Sequence, residues 1–331
     1  MRVAIVHDDL VQWGGAERVL EGLTEIYPDA PIFTSVFDKD NKELFKRFGS
    51  KDIKTSFLQK IPFWKTFYKA FLPLYPITFE QFDFSEFDLV ISHTTRFAKC
   101  IITKPGTKHI CYCHTPPRFL WHFSGIKSFG ILEIIMSWFR ILDQVTSNRV
   151  DFYLAGSENA KKRIRKIYRK DSKVVYPFID LERFKNIKTF NGEYFVMIAR
   201  PNKYKRFDLV KTACNKLGLE LKVISGGLSD DEVVKTLAGC KALIIPGIED
   251  FGLTSLEAQA LGKPVIAFKE GGVLETVIDG KTGEFFRKDA LEEVLKNFDY
   301  KKYKPEDSVN NAKRFSKENF IENFKQTLAS L

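Results

Sequence analysis

The chain has 331 residues, of which 44% are hydrophobic and 28% charged. That is enough for two cores at roughly 100–150 residues each, and it excludes disordered and fibrous classes. Lys and Arg number 52 against 42 Asp and Glu, a net charge of +10, and Phe alone supplies 31 residues. The basic excess is local. Window 51–76 holds five Lys and one Asp, window 158–173 holds eight basic and two acidic residues, and together they account for all of it. A nucleic-acid binder spreads its basic residues along a whole face, so nucleic acid is not expected as a partner. The five cysteines, at 100, 111, 113, 214 and 240, are scattered and lack a C-x-x-C pair, which argues against a disulfide framework or a zinc knuckle.

Short apolar runs alternate with helical patterns from end to end. The opening MRVAIVHDDL reads as a first strand rather than a signal peptide, and a reduced cytoplasmic setting is expected. Residues 2–6, 30–36, 88–92, 109–113 and 152–156 read as buried parallel strands. A second series lies at 194–199, 221–226, 242–247 and 264–268. Helical periodicity falls between them at 16–26, 158–169, 206–217, 252–261 and 289–297. The alternation predicts an α/β protein of open, doubly wound parallel sheets. The period is lost between about 177 and 193, which divides the chain into a first domain at 1–176, a linker at 177–193 and a second domain at 194–314. Residues 315–331 carry Phe315, Phe320, Phe324 and Leu328 at helical spacing, a helix expected to pack back on the first domain. The most apolar stretch, 129–142, is interrupted by Glu133 and Arg140, and no run reaches the ~18 residues of a membrane span.

In window 57–76, Trp64, Phe67, Tyr68, Phe71 and Tyr75 recur at three- and four-residue steps, with Lys65 and Lys69 on another face. This is the pattern of an interfacial helix, so Lys60, Trp64, Lys65, Phe67, Tyr68, Lys69 and Phe71 are expected to contact an anionic membrane surface. The competing reading is a helix packed on the core with solvated lysines.

Residues 249–257, EDFGLTSLE, follow an apolar strand and lead into a helix at Gly252. A helix N-terminus presents backbone N–H groups and partial positive charge to an anion. Glu249 and Glu257, eight apart, can accept hydrogen bonds from hydroxyls at opposite ends of an extended ligand. Three further segments carry candidate chemistry. Gly14 and Gly15 stand in the first βα loop. His114 follows a strand and precedes a double proline. Arg200 follows a strand and Lys205 lies five residues later at the entrance of a helical run, an Arg able to bind phosphate bidentately and a Lys able to act as a point charge.

These segments, with P-V-I-A, G-G-x-x-E and D-G-x-T-G in residues 262–286, resemble the retaining glycosyltransferase family 4 of the GT-B fold over nearly the whole chain. The resemblance implies two Rossmann-like domains facing a central cleft, the first for the acceptor and the second for a nucleotide-sugar donor. It implies His114, Arg200, Lys205 and Glu249 as catalytic residues. Gly14, Gly15, Phe251, Gly252, Leu253 and Glu257 join Arg200, Lys205 and Glu249 as donor-binding residues. No metal and no cofactor are expected, since no Asp-x-Asp stands at a strand end. Residues 110–123 resemble a subgroup that builds surface polysaccharides, often from GDP-mannose. A lipid-linked glycan or polysaccharide acceptor at the inner face of the cytoplasmic membrane is therefore expected. Ala199 and Arg206 depart from the common family string, which has glycine at both places. The alternatives are another GT-B enzyme, such as a nucleotide-sugar epimerase or a glycan phosphorylase, and a non-catalytic membrane- or glycan-binding module. An epimerase has no use for the basic aromatic stretch, and a pure binder has no use for all four of Glu249, Glu257, Arg200 and Lys205.

Overall fold

The computed structural model describes residues 1–68, 70–121, 123, 130–190, 192–198, 205–226 and 228–331. Two compact units emerge, one of residues 1–176 with 321–331 and the other of residues 177–320. Segment 177–193 thus belongs to the second unit and carries a 3-10 turn, Leu181–Phe184.

The first unit contains, in chain order, β1 (Val3–His7), α1 (Gly15–Ile26), β2 (Ile32–Thr34), α2 (Lys42–Phe48), β3 (Ile53–Thr55), α3 (Trp64–Phe67), α4 (Tyr75–Glu80), β4 (Leu89–Thr94), β5 (Lys108–Cys113), α5 (Ile131–Thr146), β6 (Phe152–Ala155), α6 (Glu158–Tyr168) and β7 (Ser172–Val174). Its sheet is parallel, in the order β3-β2-β1-β4-β5-β6-β7. Strands β1 and β4 are buried along their whole length, as covered faces require. The order reverses at β1 and β4, and such a switch point leaves a crevice beyond the carboxyl ends of the two strands.

The second unit contains β8 (Tyr194–Ile198), α7 (Phe207–Leu217), β9 (Glu220–Ile224), α8 (Asp230–Ala238), β10 (Leu243–Ile245), α9 (Leu253–Ala260), β11 (Val265–Phe268), α10 (Val273–Thr276), β12 (Gly283–Phe286), α11 (Leu291–Asn297) and α12 (Pro305–Lys313). Its five parallel strands run β12-β11-β10-β8-β9, so the switch point lies between β8 and β10. The core is built from Phe195, Met197, Val210, Ile244, Ile266 and Phe286. Helix α13 (Lys317–Ala329) closes the chain, and its residues from 321 onward belong to the first unit, where Lys173 Nζ donates to Ser330 Oγ at 2.8 Å. The architecture is the doubly wound α/β pair expected from the sequence. Strands β3, β7 and β12 were not anticipated; all three lie at sheet edges.

Window 57–76 is not the continuous interfacial helix that its spacing suggests. It breaks into a 3-10 turn at Phe57–Lys60, the single-turn α3, a second 3-10 turn at Leu72–Leu74 and the start of α4. Pro62, Pro73 and Pro76 remove backbone donors, and Phe63 takes a left-handed φ of 57°. Trp64 is buried in the core, with Tyr68 and Phe71 packed against the same cluster. Lys65 Nζ pairs with Asp38 Oδ1 at 2.6 Å and with Asp40. Lys60 and Phe67 are exposed, and Lys69 lies outside the described residues. The apolar surface lies elsewhere. Ile134, Trp138, Ile141 and Val145 of α5 are all more than half exposed, at 62%, 65%, 54% and 56%. Among the described residues no helix is long and apolar enough to cross a membrane.

Candidate functional site

Glu249 lies between β10 and α9, and Lys205 lies just ahead of α7, the helix that follows β8. Strands β8 and β10 flank the switch point of the second sheet. There Lys205 Nζ and Glu249 Oε1 meet at 2.5 Å, each side chain about four-fifths buried. Two glycines make this loop possible. Gly252 precedes α9 at φ +104° and Gly271 sits at φ +85°, both left-handed. A Cβ on Gly271 would lie 2.6 Å from the Glu249 carbonyl oxygen, and one on Gly272 would lie 2.3 Å from Asp250 O. The close approach lets the Gly272 amide donate to Glu249 O at 2.8 Å. Ser255 Oγ donates to Gly252 O at 2.7 Å and lies 2.6 Å from Thr276 Oγ1, which anchors the first turn of α9. Phe251 is buried against the Phe315 ring.

Glu257, a turn into α9, is buried and meets Arg183 Nη1 at 3.3 Å. Arg183 Nη2 also reaches Asp230 Oδ2 at 3.0 Å, at the start of α8. Ser229 caps that helix in a full capping box with Glu232. Both candidate carboxylates thus face a cation. Arg200, the other cation expected here, lies outside the described residues. Arg183 escaped the sequence reading because it sits in the aperiodic 177–193 segment, where nothing marks one charge above another.

In the first unit, His114 follows β5, and its amide donates to Thr94 O at 3.0 Å. It is half-buried, with its Nε2 2.7 Å from His93 Nε2. Tyr112 is fully buried and its hydroxyl donates to Val175 O at 2.8 Å, so it serves the packing beneath the site. Gly14 precedes α1 with an extended φ of −165°, and a Cβ there would stand 3.2 Å from Glu17 Oε2. Its missing side chain leaves room for that carboxylate, whatever else the Gly14-Gly15 loop contacts.

Asp8 and Asp9 are structural, as their place in a turn suggests. The Asp8 carboxylate accepts from the amides of Thr95, Arg96, Phe97 and Ala98 at 2.7–2.9 Å. Burial would raise its pKa, but the Arg96 charge, His7 and these amides together hold it below the ordinary carboxylate range. Asp9 pairs with Arg96.

Residues 13–183 match the family model Glycosyltransferase Family 4, and residues 210–315 match Glycosyl transferases group 1. Alpha-1,3/1,6-mannosyltransferase ALG2 of Kluyveromyces lactis is 26% identical over 84% of this chain and 71% of its own. A GDP-mannose-dependent alpha-(1-6)-phosphatidylinositol monomannoside mannosyltransferase of Mycolicibacterium smegmatis is 56% identical over 11% of this chain and 9% of its own. The Anabaena protein Alr3699/HepE, solved in complex with UDP, shares the fold at a TM-score of 0.69 over all of both chains, with 16% identity. The first family model alone spans more than half of the sequence, and the two parallel-sheet units are those of the GT-B fold: the chain is a glycosyltransferase belonging to Glycosyltransferase Family 4.

Proposed function

We propose that the protein moves mannose from GDP-mannose, with retention of anomeric configuration, to a lipid-linked glycan or polysaccharide acceptor at the cytoplasmic face of a membrane. The observation that carries this reading is the Lys205–Glu249 pair at the switch point of the second sheet, next to the N-terminus of α9. Charge develops on the departing diphosphate and on the oxocarbenium-like sugar as the glycosidic bond breaks, and preorganised charge aimed at both lowers the barrier. Lys205 is a point charge for the diphosphate, joined by Arg200, which is assigned from sequence alone, and by the amides near Gly252 and Leu253. With chain cations in that role, the transfer needs no metal. Glu249 takes the donor sugar hydroxyls, Glu257 takes the ribose hydroxyls and His114 takes the transferred sugar. The acceptor oxygen attacks from the leaving-group face, and its proton passes to the departing phosphate.

The mannosyl donor is supported by the names of the fungal and mycobacterial relatives, both mannosyltransferases. Membrane docking is supported by the exposed apolar face of α5 in place of window 57–76. Phe63 and Phe67 of the same unit are also exposed, at 78% and 52%. A donor screen with GDP-, UDP-, ADP- and dTDP-sugars tests the donor, because a ligand that binds the folded state raises its melting temperature. GDP-mannose is expected to stabilise the protein and to release GDP only with acceptor present. Glu249→Ala and Lys205→Ala are each expected to slow transfer at least tenfold with folding intact. Wild-type rates in both would remove the site assignment, and stabilisation by a UDP-sugar alone would replace the donor.

A further inference from the structure

Three histidines stand at the carboxyl ends of adjacent strands in the first unit, at its switch point. His7 ends β1 and is paired in register with His93 of β4, while His114 follows β5. The rings are joined nitrogen to nitrogen. His7 Nδ1 lies 2.9 Å from His93 Nδ1, and His93 Nε2 lies 2.7 Å from His114 Nε2. Among the described residues the outer nitrogen of His7 has no hydrogen-bond partner, and it lies 3.8 Å from the Glu17 carboxylate in the first turn of α1. His7, His93 and Glu17 are all buried, with exposures of 3%, 0% and 5%.

Each short N···N contact holds one proton, so the direction of one hydrogen bond fixes the other. His93 must remain neutral for this coupling. Burial drives its pKa well below the ordinary imidazole range, and the neighbouring His114 and His7 add to the effect. Burial also opposes charge on His7, yet Glu17 from α1, and Asp8 and Asp9 from the loop after β1, outweigh it and raise the His7 pKa. A protonated His7 donates from Nδ1 to His93. A neutral His93 then carries its hydrogen on Nε2 and donates to His114. His114 is left with its own hydrogen on Nδ1. Loss of the His7 proton permits the reverse order, in which His114 donates from Nε2 and its Nδ1 becomes an acceptor.

We propose that Glu17, His7 and His93 are positioning residues that fix the tautomer of His114, holding Nδ1–H as a hydrogen-bond donor for the transferred sugar. The sugar contact rests on the role given to His114 under the proposed function; the tautomer coupling does not. The raised His7 pKa sets the sign. The donor form is present below that pKa and is lost as pH rises through it.

Ring-15N-labelled full-length protein tests this directly, since only five histidines contribute signals. His114 is expected as the Nδ1–H tautomer while His7 is protonated, changing to Nε2–H as His7 loses its proton. Glu17→Gln is expected to move that change to lower pH by at least half a unit. The alkaline limb of the transfer pH profile should move with it. His93→Phe keeps an aromatic ring in place and removes both nitrogens, so the His114 tautomer should no longer follow His7. A His114 tautomer that stays the same in wild type, Glu17→Gln and His93→Phe would overturn the proposal. Wild-type transfer by His114→Ala would instead remove the sugar contact and leave the tautomer coupling standing.

Discussion

Arg183 joins Glu257 to Asp230, and at 18% exposure its charge is well shielded from solvent. A carboxylate that must accept two vicinal hydroxyls gains from being ionised and fixed in direction, and a guanidinium does both at once. Arg183 pairs with Glu257, the carboxylate proposed for the ribose, and not with Glu249 or Lys205, so its loss should weaken donor binding more than the chemical step. Arg183→Ala is expected to raise the KM for the nucleotide-sugar donor about tenfold, equivalent to roughly 1.4 kcal/mol, while kcat changes less than threefold. Arg183→Lys should recover part of the loss. Steady-state kinetics with varied donor decide the matter: an unchanged KM with a depressed kcat would place Arg183 at the reacting centre. Glu249 and Glu257 stand out in the sequence because their spacing follows a strand and opens a helix. Their cation partners divide. Lys205 begins a helical run and is legible, whereas Arg183 comes from an aperiodic stretch and is visible only in three dimensions. His7 and His93 fall between these cases. Each stands at the carboxyl end of an apolar strand, where α/β sheets place ligands, but only the strand order shows that those strands are neighbours.

At the scale of elements, α5 is turned inside out. Its solvent face carries Ile134, Trp138, Ile141 and Val145, while its inward face brings Asp143 and Thr146 beside Phe139. Asp143 is fully buried and pairs with the equally buried Lys99. Its second oxygen accepts from Trp121 Nε1 at 2.7 Å and from the Tyr168 hydroxyl at 2.9 Å. This network ties α5 to the turn after β4 and to the end of α6. Asp143→Ala leaves the Lys99 charge buried without its carboxylate, a change that costs about 3–5 kcal/mol. Urea denaturation should show a drop of that size in unfolding free energy, and the double variant Asp143→Leu, Lys99→Met should recover part of it. A loss below about 1 kcal/mol for the single variant would show that water or other groups solvate Lys99. Hydrophobic periodicity alone could not place this helix correctly, because its most apolar side is not its buried side. The opposite failure occurred at 57–76, where the spacing was helical but three prolines and the left-handed Phe63 divide the segment into single turns. The buried inner strands β1, β4, β5, β8 and β11 were legible because a parallel strand covered on both faces must be a continuous apolar run.

For the whole molecule, the two basic windows that hold the charge excess both fall in the first unit, and much of that charge is engaged locally. Lys65 pairs with Asp38 and Asp40, Lys54 pairs with Asp52 at 3.0 Å, and Arg165 pairs with Asp171. On α6, Lys162 and Lys166 remain exposed. A lysine near an anionic leaflet contributes roughly 1 kcal/mol, whereas burying an apolar side chain contributes about 1.5–3 kcal/mol. On the proposed membrane reading, the α5 face, with seven exposed large apolar residues from Leu132 to Val145, is therefore expected to contribute more than the lysines. The two contributions differ in their response to salt, since screening weakens only the electrostatic one. The double variant Ile134→Glu, Trp138→Glu is expected to lose sedimentation with anionic vesicles at every ionic strength. Lys162→Glu with Lys166→Glu should weaken it at low salt and match wild type at high salt. Neither pair belongs to the sugar site, so transfer to a soluble acceptor fragment should continue at the wild-type rate in both. Undiminished vesicle binding by the α5 variant at physiological salt would show that the helix face serves something other than lipid.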